Sequence, residues 1–297
     1  MHKRTVALIA VFLVQLLYGL NFTFAKFVMN EGYIKPFGFV LLRIFGATIL
    51  FWILDAFMPK EKIDTKDFKT FVIAAFFGVA TNMLLFFSGL ELTTPIHAAV
   101  IMITTPIIIL IFSAFFLKER ITGLKVTGIL LGFAGALVLS IYGKSARVGD
   151  NIFLGNLMVF ANAVSYSVYI IIIKKLTEKY HPFTFIKWLF LFGFFIVLPF
   201  GYQEVQEIQL ATFSPYVYFS VGFVIIGATF GTYLLNPLAL RTLKASTIGT
   251  FIYLQPVIAG VFAILMGVDS LNSVKIVAML LIFSGVYLVS KTPKLQD

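Results

Sequence analysis

A chain of 297 residues that is 60% hydrophobic, 12% charged and of mean hydropathy +1.00 falls outside the soluble globular class, where about 25% of residues are charged. Its net charge of +10 would suggest nucleic acid in a soluble protein, but a membrane protein places such cations in its loops. The absence of cysteine excludes disulfides and thiolate metal sites, and three scattered histidines (His2, His97 and His181) form no metal-ligand cluster.

Ten apolar stretches, at about 5–29, 36–58, 68–90, 94–117, 123–141, 153–173, 183–202, 215–236, 244–267 and 273–290, are each long enough to cross a hydrocarbon core that takes roughly 20 helical residues. They are continuously apolar, whereas barrel strands alternate, so helices are predicted. The first comes after Met1-His2-Lys3-Arg4, like the charged start of a secretory signal. The run from Thr5 to Met29 is too long for a signal and lacks a small-x-small cleavage site, so a retained span is expected.

That first span carries Gln15, Tyr18 and Asn21 at a spacing of three, which puts them on one broad face, and Lys26 toward its outer end. The second holds Arg43 about seven residues in. Arg43 either snorkels outward along its stem or faces a wet cavity and binds an anionic group such as a carboxylate. Thr81 and Asn82 lie in the third span. His97 opens the fourth, with Ala98, Ile101 and Thr104/Thr105 following on one face. It could handle protons beside a cavity or serve as a capping residue. Pro106 lies mid-span, where the missing N–H and the ring's clash with the preceding turn kink a helix. Gly123, Gly128, Gly132 and Gly135 run along the fifth span and permit close helix approach. Asn162, Ser165, Tyr166 and Tyr169 mark the sixth span, and Thr229, Thr232, Tyr233 and Asn236 the eighth. Thr250, Tyr253 and Gln255 precede Pro256 in the ninth.

Residues 89–140 and 239–290 align without a gap at an offset of 150. Identities fall at Leu90/Leu240, Pro106/Pro256, Ile108/Ile258, Phe112/Phe262, Lys125/Lys275, Leu130/Leu280, Leu131/Leu281, Phe133/Phe283, Gly135/Gly285 and Ser140/Ser290. The expected organisation is a first five-helix repeat over 1–141, a linker over 142–152 and a second repeat over 153–297. Because five crossings is an odd number, the second repeat enters the membrane upside down. The fold class is therefore all-α integral membrane, ten transmembrane helices in two inverted five-helix repeats. With both termini cytoplasmic, seventeen Lys and Arg residues fall on the cytoplasmic side, among them Lys118, Arg120, Lys174 and Arg241. Only Lys35, Lys144, Arg147 and Lys275 fall opposite. This positive-inside bias sets the orientation, with Glu119 inside and Asp269 outside.

Polar groups concentrate in spans 1, 3, 4, 6, 8 and 9, which suggests a central cavity between the halves, although each could equally be interhelical glue. The candidate lining is Tyr18, Asn21, Asn82, His97, Tyr166, Thr232, Tyr253 and Gln255, with Arg43 as anion partner and Pro106 and Pro256 as kinks or gates. No carboxylate lies mid-span, which argues against strong proton coupling and leaves His97 or Glu91 as the weaker alternatives. A membrane enzyme would need clustered acids or histidines at the surface, and a retinal protein a lysine with a carboxylate counter-ion. Neither pattern is present.

Leu90 through Thr105-Pro106 to Phe116-Leu117-Lys118-Glu119-Arg120, followed by a glycine-rich fifth span, resembles the EamA family of the drug/metabolite transporter superfamily. That family carries a threonine-proline pair in the fourth span and a Leu-x-Glu-Arg close. The second half departs from the pattern, with Gln255 before its proline and Gly267-Val268-Asp269-Ser270 at the close, so asymmetric gates are expected. The resemblance implies an inner-membrane exporter of amino acids or related metabolites working by alternating access, with a broader drug/metabolite or nucleotide-sugar-type carrier as the alternative. The expected partners are a small-molecule substrate and the bilayer, with no nucleic acid and no cofactor; the sequence does not fix the oligomeric state, and a monomer is the expectation.

Overall fold

An apolar run inside hydrocarbon has no water to satisfy its backbone, and a helix is the way one segment satisfies its own. A computed structural model describes residues 3–93, 95–141, 151–265 and 272–290, and all regular elements among them are helical. Among the described residues nine helices are long and apolar enough to cross a membrane: Lys3–Met29, Pro36–Ala56, Thr65–Leu90, Ala98–Leu117, Ile152–Lys179, Pro182–Gln206, Pro215–Leu240, Ala245–Phe262 and Ser273–Ser290. A shorter apolar helix, Gly123–Val138, supplies the tenth. In chain order these are spans one to ten, with Gly123–Val138 as the fifth.

Several helices run past the apolar limits read from the sequence. The sixth continues to Lys179 and the seventh to Gln206, because polar residues at a bilayer surface can prolong a helix that hydropathy treats as finished. Local chemistry starts the helices. Pro36, Pro182 and Pro215 occupy first-turn positions, where a missing N–H costs nothing, and the Asn151 side chain accepts from Leu154 N–H at 3.1 Å. At the far end of the eighth span the Lys174 ammonium donates to the Leu240 carbonyl at 2.7 Å, a cation capping a helix C-terminus.

Helix pairing has a pseudo-twofold pattern. The fifth span packs most extensively on the tenth and the second on the seventh, each a helix against its own repeat counterpart. The third packs on the sixth as the eighth packs on the first, and the fourth on the sixth as the ninth packs on the first. Small residues make the tightest of these contacts possible. A Cβ on Gly128 would meet the Gly285 carbonyl at 2.7 Å, and one on Gly285 would strike the Gly128 carbonyl in return. Gly285→Ala is therefore expected to destabilise by about 1–3 kcal/mol through overpacking. Gly123→Ala, with nothing within 4 Å, should leave thermal unfolding of the purified protein in detergent unchanged.

Four spans are irregular, in two symmetry-related pairs. The third contains a π-helical segment at Phe76–Thr81 and the eighth one at Phe223–Gly231. The fourth breaks between Pro95–Met102 and Thr105–Leu117, the ninth between Ala245–Phe251 and Leu254–Leu265. Each break lies just before its proline, Pro106 or Pro256, whose ring crowds the carbonyl four residues earlier. Membrane helices tolerate such interruptions where neighbouring groups cover the freed carbonyls. In the third span Ser165 donates to the Phe77 carbonyl at 2.7 Å and Tyr233 to the Gly78 carbonyl at 2.6 Å.

Candidate functional site

The π-helical segments of the third and eighth spans adjoin a buried polar cluster. Arg43 on the second span is only 5% exposed, and its Nε donates to the Thr229 hydroxyl of the eighth span at 3.0 Å. No carboxylate among the described residues lies within ion-pair distance of it; the ion pairs that are present involve lysines. The Tyr18 hydroxyl lies beside Thr232 and within electrostatic reach of Arg43, as does Tyr233. The Tyr166 ring lies tilted against Tyr169 at 6.0 Å between ring centroids, and Tyr169 against Tyr233 at 5.8 Å. Asn236 donates to the Tyr166 hydroxyl at 3.3 Å. Tyr18 and Tyr233 thus lie within reach of the arginine of span two, and Tyr166 and Tyr169 of span six extend the cluster beyond them.

Buried polar atoms usually find partners, and those that do not call for a reason. At this cluster Asn162 Oδ1, Asn236 Oδ1 and the Tyr169 hydroxyl are buried without a hydrogen-bond partner among the described residues, and on the first span Asn21 Oδ1 is likewise. Asn162 uses its amide nitrogen on the Asn82 carbonyl, which is the contact that brings Asn82 into the arrangement. Gly78 admits the Tyr169 ring, since a Cβ there would collide with it. A glycine in the π-helical turn thus makes room for the aromatic ring that packs between Tyr166 and Tyr233.

Of the residues singled out from sequence, Tyr18, Arg43, Tyr166 and Thr232 share this cluster, and Asn82 adjoins it through its backbone carbonyl, which accepts from Asn162. Tyr253 and Gln255 of the ninth span make other contacts. The Tyr253 ring seats against Gly132 of the fifth span, with its hydroxyl buried and without a partner among the described residues. Gln255 donates to Gln15 at 2.8 Å, joining the ninth span to the first. The side chains of His97, Lys26 and Glu91 fall outside the described residues, as does Asp269. Thr229, Tyr169, Tyr233 and Asn236 are additions to the expected lining, although each stands out in sequence as a hydrogen-bonding group inside an apolar span.

A second polar centre closes the cytoplasmic ends expected for spans four and nine. Lys118 ends the fourth span in the left-handed region (φ 53°), a conformation costing a non-glycine residue roughly 1–2 kcal/mol. Glu119 comes next, accepting from Ala245 N–H at 2.8 Å, from the Ser246 hydroxyl and from the Lys125 ammonium at 3.1 Å. Lys125 also donates to Ser246 at 2.7 Å. Both charged side chains are 8% exposed. The carboxylate of one repeat therefore caps the first turn of a helix in the other.

Two pockets open at opposite ends of spans two and seven. One of about 340 Å³ is lined by Met58, Pro59, Lys60, Glu61, His181, Phe183 and Thr184. The other, of about 60 Å³, is lined by Gly32 to Lys35 with Glu204, Glu207 and Ile208. At the larger, Glu61 accepts from His181 N–H at 3.0 Å and from Thr184 Oγ1 at 2.6 Å. Burial and then the Arg241 charge hold the His181 imidazole below its ordinary range, with Glu61 opposing them. The folded state thus favours neutral imidazole, and that contribution to stability is lost as pH falls below about 6.5. Nearby Asp55 pairs with Lys60 at 2.6 Å and Lys187 at 2.7 Å. Lys187 also lies 4.9 Å from the Trp52 ring centroid.

The sequence pattern of the EamA-like transporter family matches the chain twice, over residues 5–141 and 153–291. An uncharacterized transporter of Archaeoglobus fulgidus is 27% identical over 92% of this chain and 94% of its own length. The uncharacterized transporter YyaM of Bacillus subtilis is 22% identical over 92% and 89%. A solved crystal structure superposes with a TM-score of 0.79 at 19% identity, covering 96% of this chain and 98% of that one, which speaks for the fold alone.

Proposed function

Because the chain belongs to the EamA-like transporter family, we propose that it exports amino acids or related carboxylate-bearing metabolites across the plasma (inner) membrane. Both termini would be cytoplasmic, and the substrate would pass chemically unchanged. The observation that carries this reading is Arg43, a cation 5% exposed within the second span and without a carboxylate partner among the described residues. Burying an unpaired charge costs several kcal/mol, and ionisable groups held within a membrane bundle mark substrate or ion pathways. A planar guanidinium suits a carboxylate, while the unpartnered Asn21, Asn162 and Asn236 oxygens suit an N–H donor such as an ammonium. Tyr18, Tyr166 and Thr232 would complete the lining, with Asn82 holding Asn162 in place.

Alternating access would move the repeats over 1–141 and 153–297 against each other, with the breaks before Pro106 and Pro256 acting as hinges. The neutral cluster around Arg43 favours facilitated transport over proton coupling. A nucleotide-sugar carrier, the second reading, would call for more than one cation at this depth. Counterflow of radiolabelled L-amino acids into proteoliposomes tests the proposal, each acid compared with its primary amide and the assay repeated under an imposed pH gradient. Exchange of at least one acid and rejection of its amide are expected. Exchange of no panel member removes the substrate class, and gradient-driven accumulation removes facilitated transport.

A further inference from the structure

We infer that Thr229 is a positioning residue, which fixes the edge that the Arg43 guanidinium presents to a substrate carboxylate. This rests on the reading of Arg43 as the anion-binding group. The two residues are 186 positions apart, on the second and eighth spans, and therefore in different repeats. A threonine hydroxyl has one proton to give. Thr229 gives it to the Val224 carbonyl, five residues back, at 2.7 Å. That spacing belongs to the π-helical segment Phe223–Gly231, whose wider turn rotates the side chains beyond it relative to an α-helix. With the proton committed, the lone pairs face Arg43, and the hydroxyl accepts from Nε at 3.0 Å. Thr229 is 0% exposed and cannot trade this arrangement for water.

A guanidinium offers a carboxylate two bidentate edges, one using Nε with a terminal nitrogen and one using both terminal nitrogens. Thr229 occupies Nε, so the edge formed by Nη1 and Nη2 is the one left for substrate. The π-helical turn of the second repeat thereby sets the binding geometry of a cation carried by the first.

The test compares Thr229→Val, Thr229→Ser and Arg43→Ala by counterflow in proteoliposomes, using the L-amino acid that exchanges fastest in wild type together with its primary amide. Thr229→Val is expected to raise KM for the acid about tenfold, the scale of one hydrogen bond to a charged group, with a smaller change in maximal rate. Discrimination between acid and amide should fall with it. Thr229→Ser keeps the hydroxyl and should restore the wild-type KM. A purely structural role would instead lower the maximal rate or thermal stability of Thr229→Val with KM unmoved, and that overturns the inference. So does a wild-type KM in Thr229→Val while Arg43→Ala is inactive, an outcome that leaves the Arg43 reading standing. Undiminished acid transport by Arg43→Ala, or exchange of no amino acid by wild type, overturns both.

Discussion

Substituting Glu119 by alanine is expected to lower stability by about 3–5 kcal/mol, the usual consequence of removing one partner from a buried ion pair. The Lys125 ammonium, 8% exposed, would keep only Ser246. Ala245 N–H and the Ser246 hydroxyl would lose their acceptor at the first turn of Ala245–Phe251, where the helix dipole also favours a negative charge. Thermal unfolding of the purified protein in detergent checks this. The Glu119→Leu/Lys125→Met double variant should recover much of the loss, because a buried pair replaced on both sides by apolar groups is often close to neutral. An unfolding midpoint for Glu119→Ala equal to wild type would mean that this carboxylate does not help to join the repeats.

Arg43→Met should have the opposite pattern. Losing a bidentate contact to a carboxylate is expected to cost transport of amino acids about 100-fold, two charge-assisted hydrogen bonds at roughly 1.5 kcal/mol each. Stability should hold or rise, because methionine relieves the desolvation of a buried cation at similar length. Counterflow and thermal unfolding on one preparation separate the two effects. A parallel loss of stability and transport would make Arg43 a structural residue. A stable variant with full transport would remove it from the site.

Much of the fold is legible in the sequence. The spans are runs of apolar residues matched to bilayer thickness, a local property. The duplication is visible in matched residues such as Pro106/Pro256 and Gly135/Gly285. Breaks near the two prolines come from proline chemistry, and the structure places them at Ile103–Thr104 and Ile252–Tyr253. The π-helical segments are not legible. Phe76–Thr81 and Phe223–Gly231 are apolar stretches, and a wider turn in such a stretch depends on partners that reach its exposed carbonyls. For the first of them those partners are Ser165 and Tyr233.

The candidate site is legible as a population of polar residues and not as a set of partners. Tyr253 and Tyr18 look alike in sequence, each a tyrosine among apolar neighbours. One seats on Gly132 of the fifth span and the other meets Thr232 beside Arg43. Glu119 stands out as part of a motif, and nothing near it in the chain announces Ala245 and Ser246 as its partners.

By itself the sequence determined that this chain crosses the membrane ten times in two related halves and carries an arginine well inside its second span. Hydrophobic length, charge bias and proline chemistry act on a segment through the bilayer and its own backbone, so they need no knowledge of the neighbours. Only the tertiary structure decided that Arg43 meets Thr229 and that Glu119 closes onto the ninth span. Those contacts join residues 126 to 186 positions apart. They depend on which helix faces pack together, and buried hydrogen bonds hold only at the separations that packing sets.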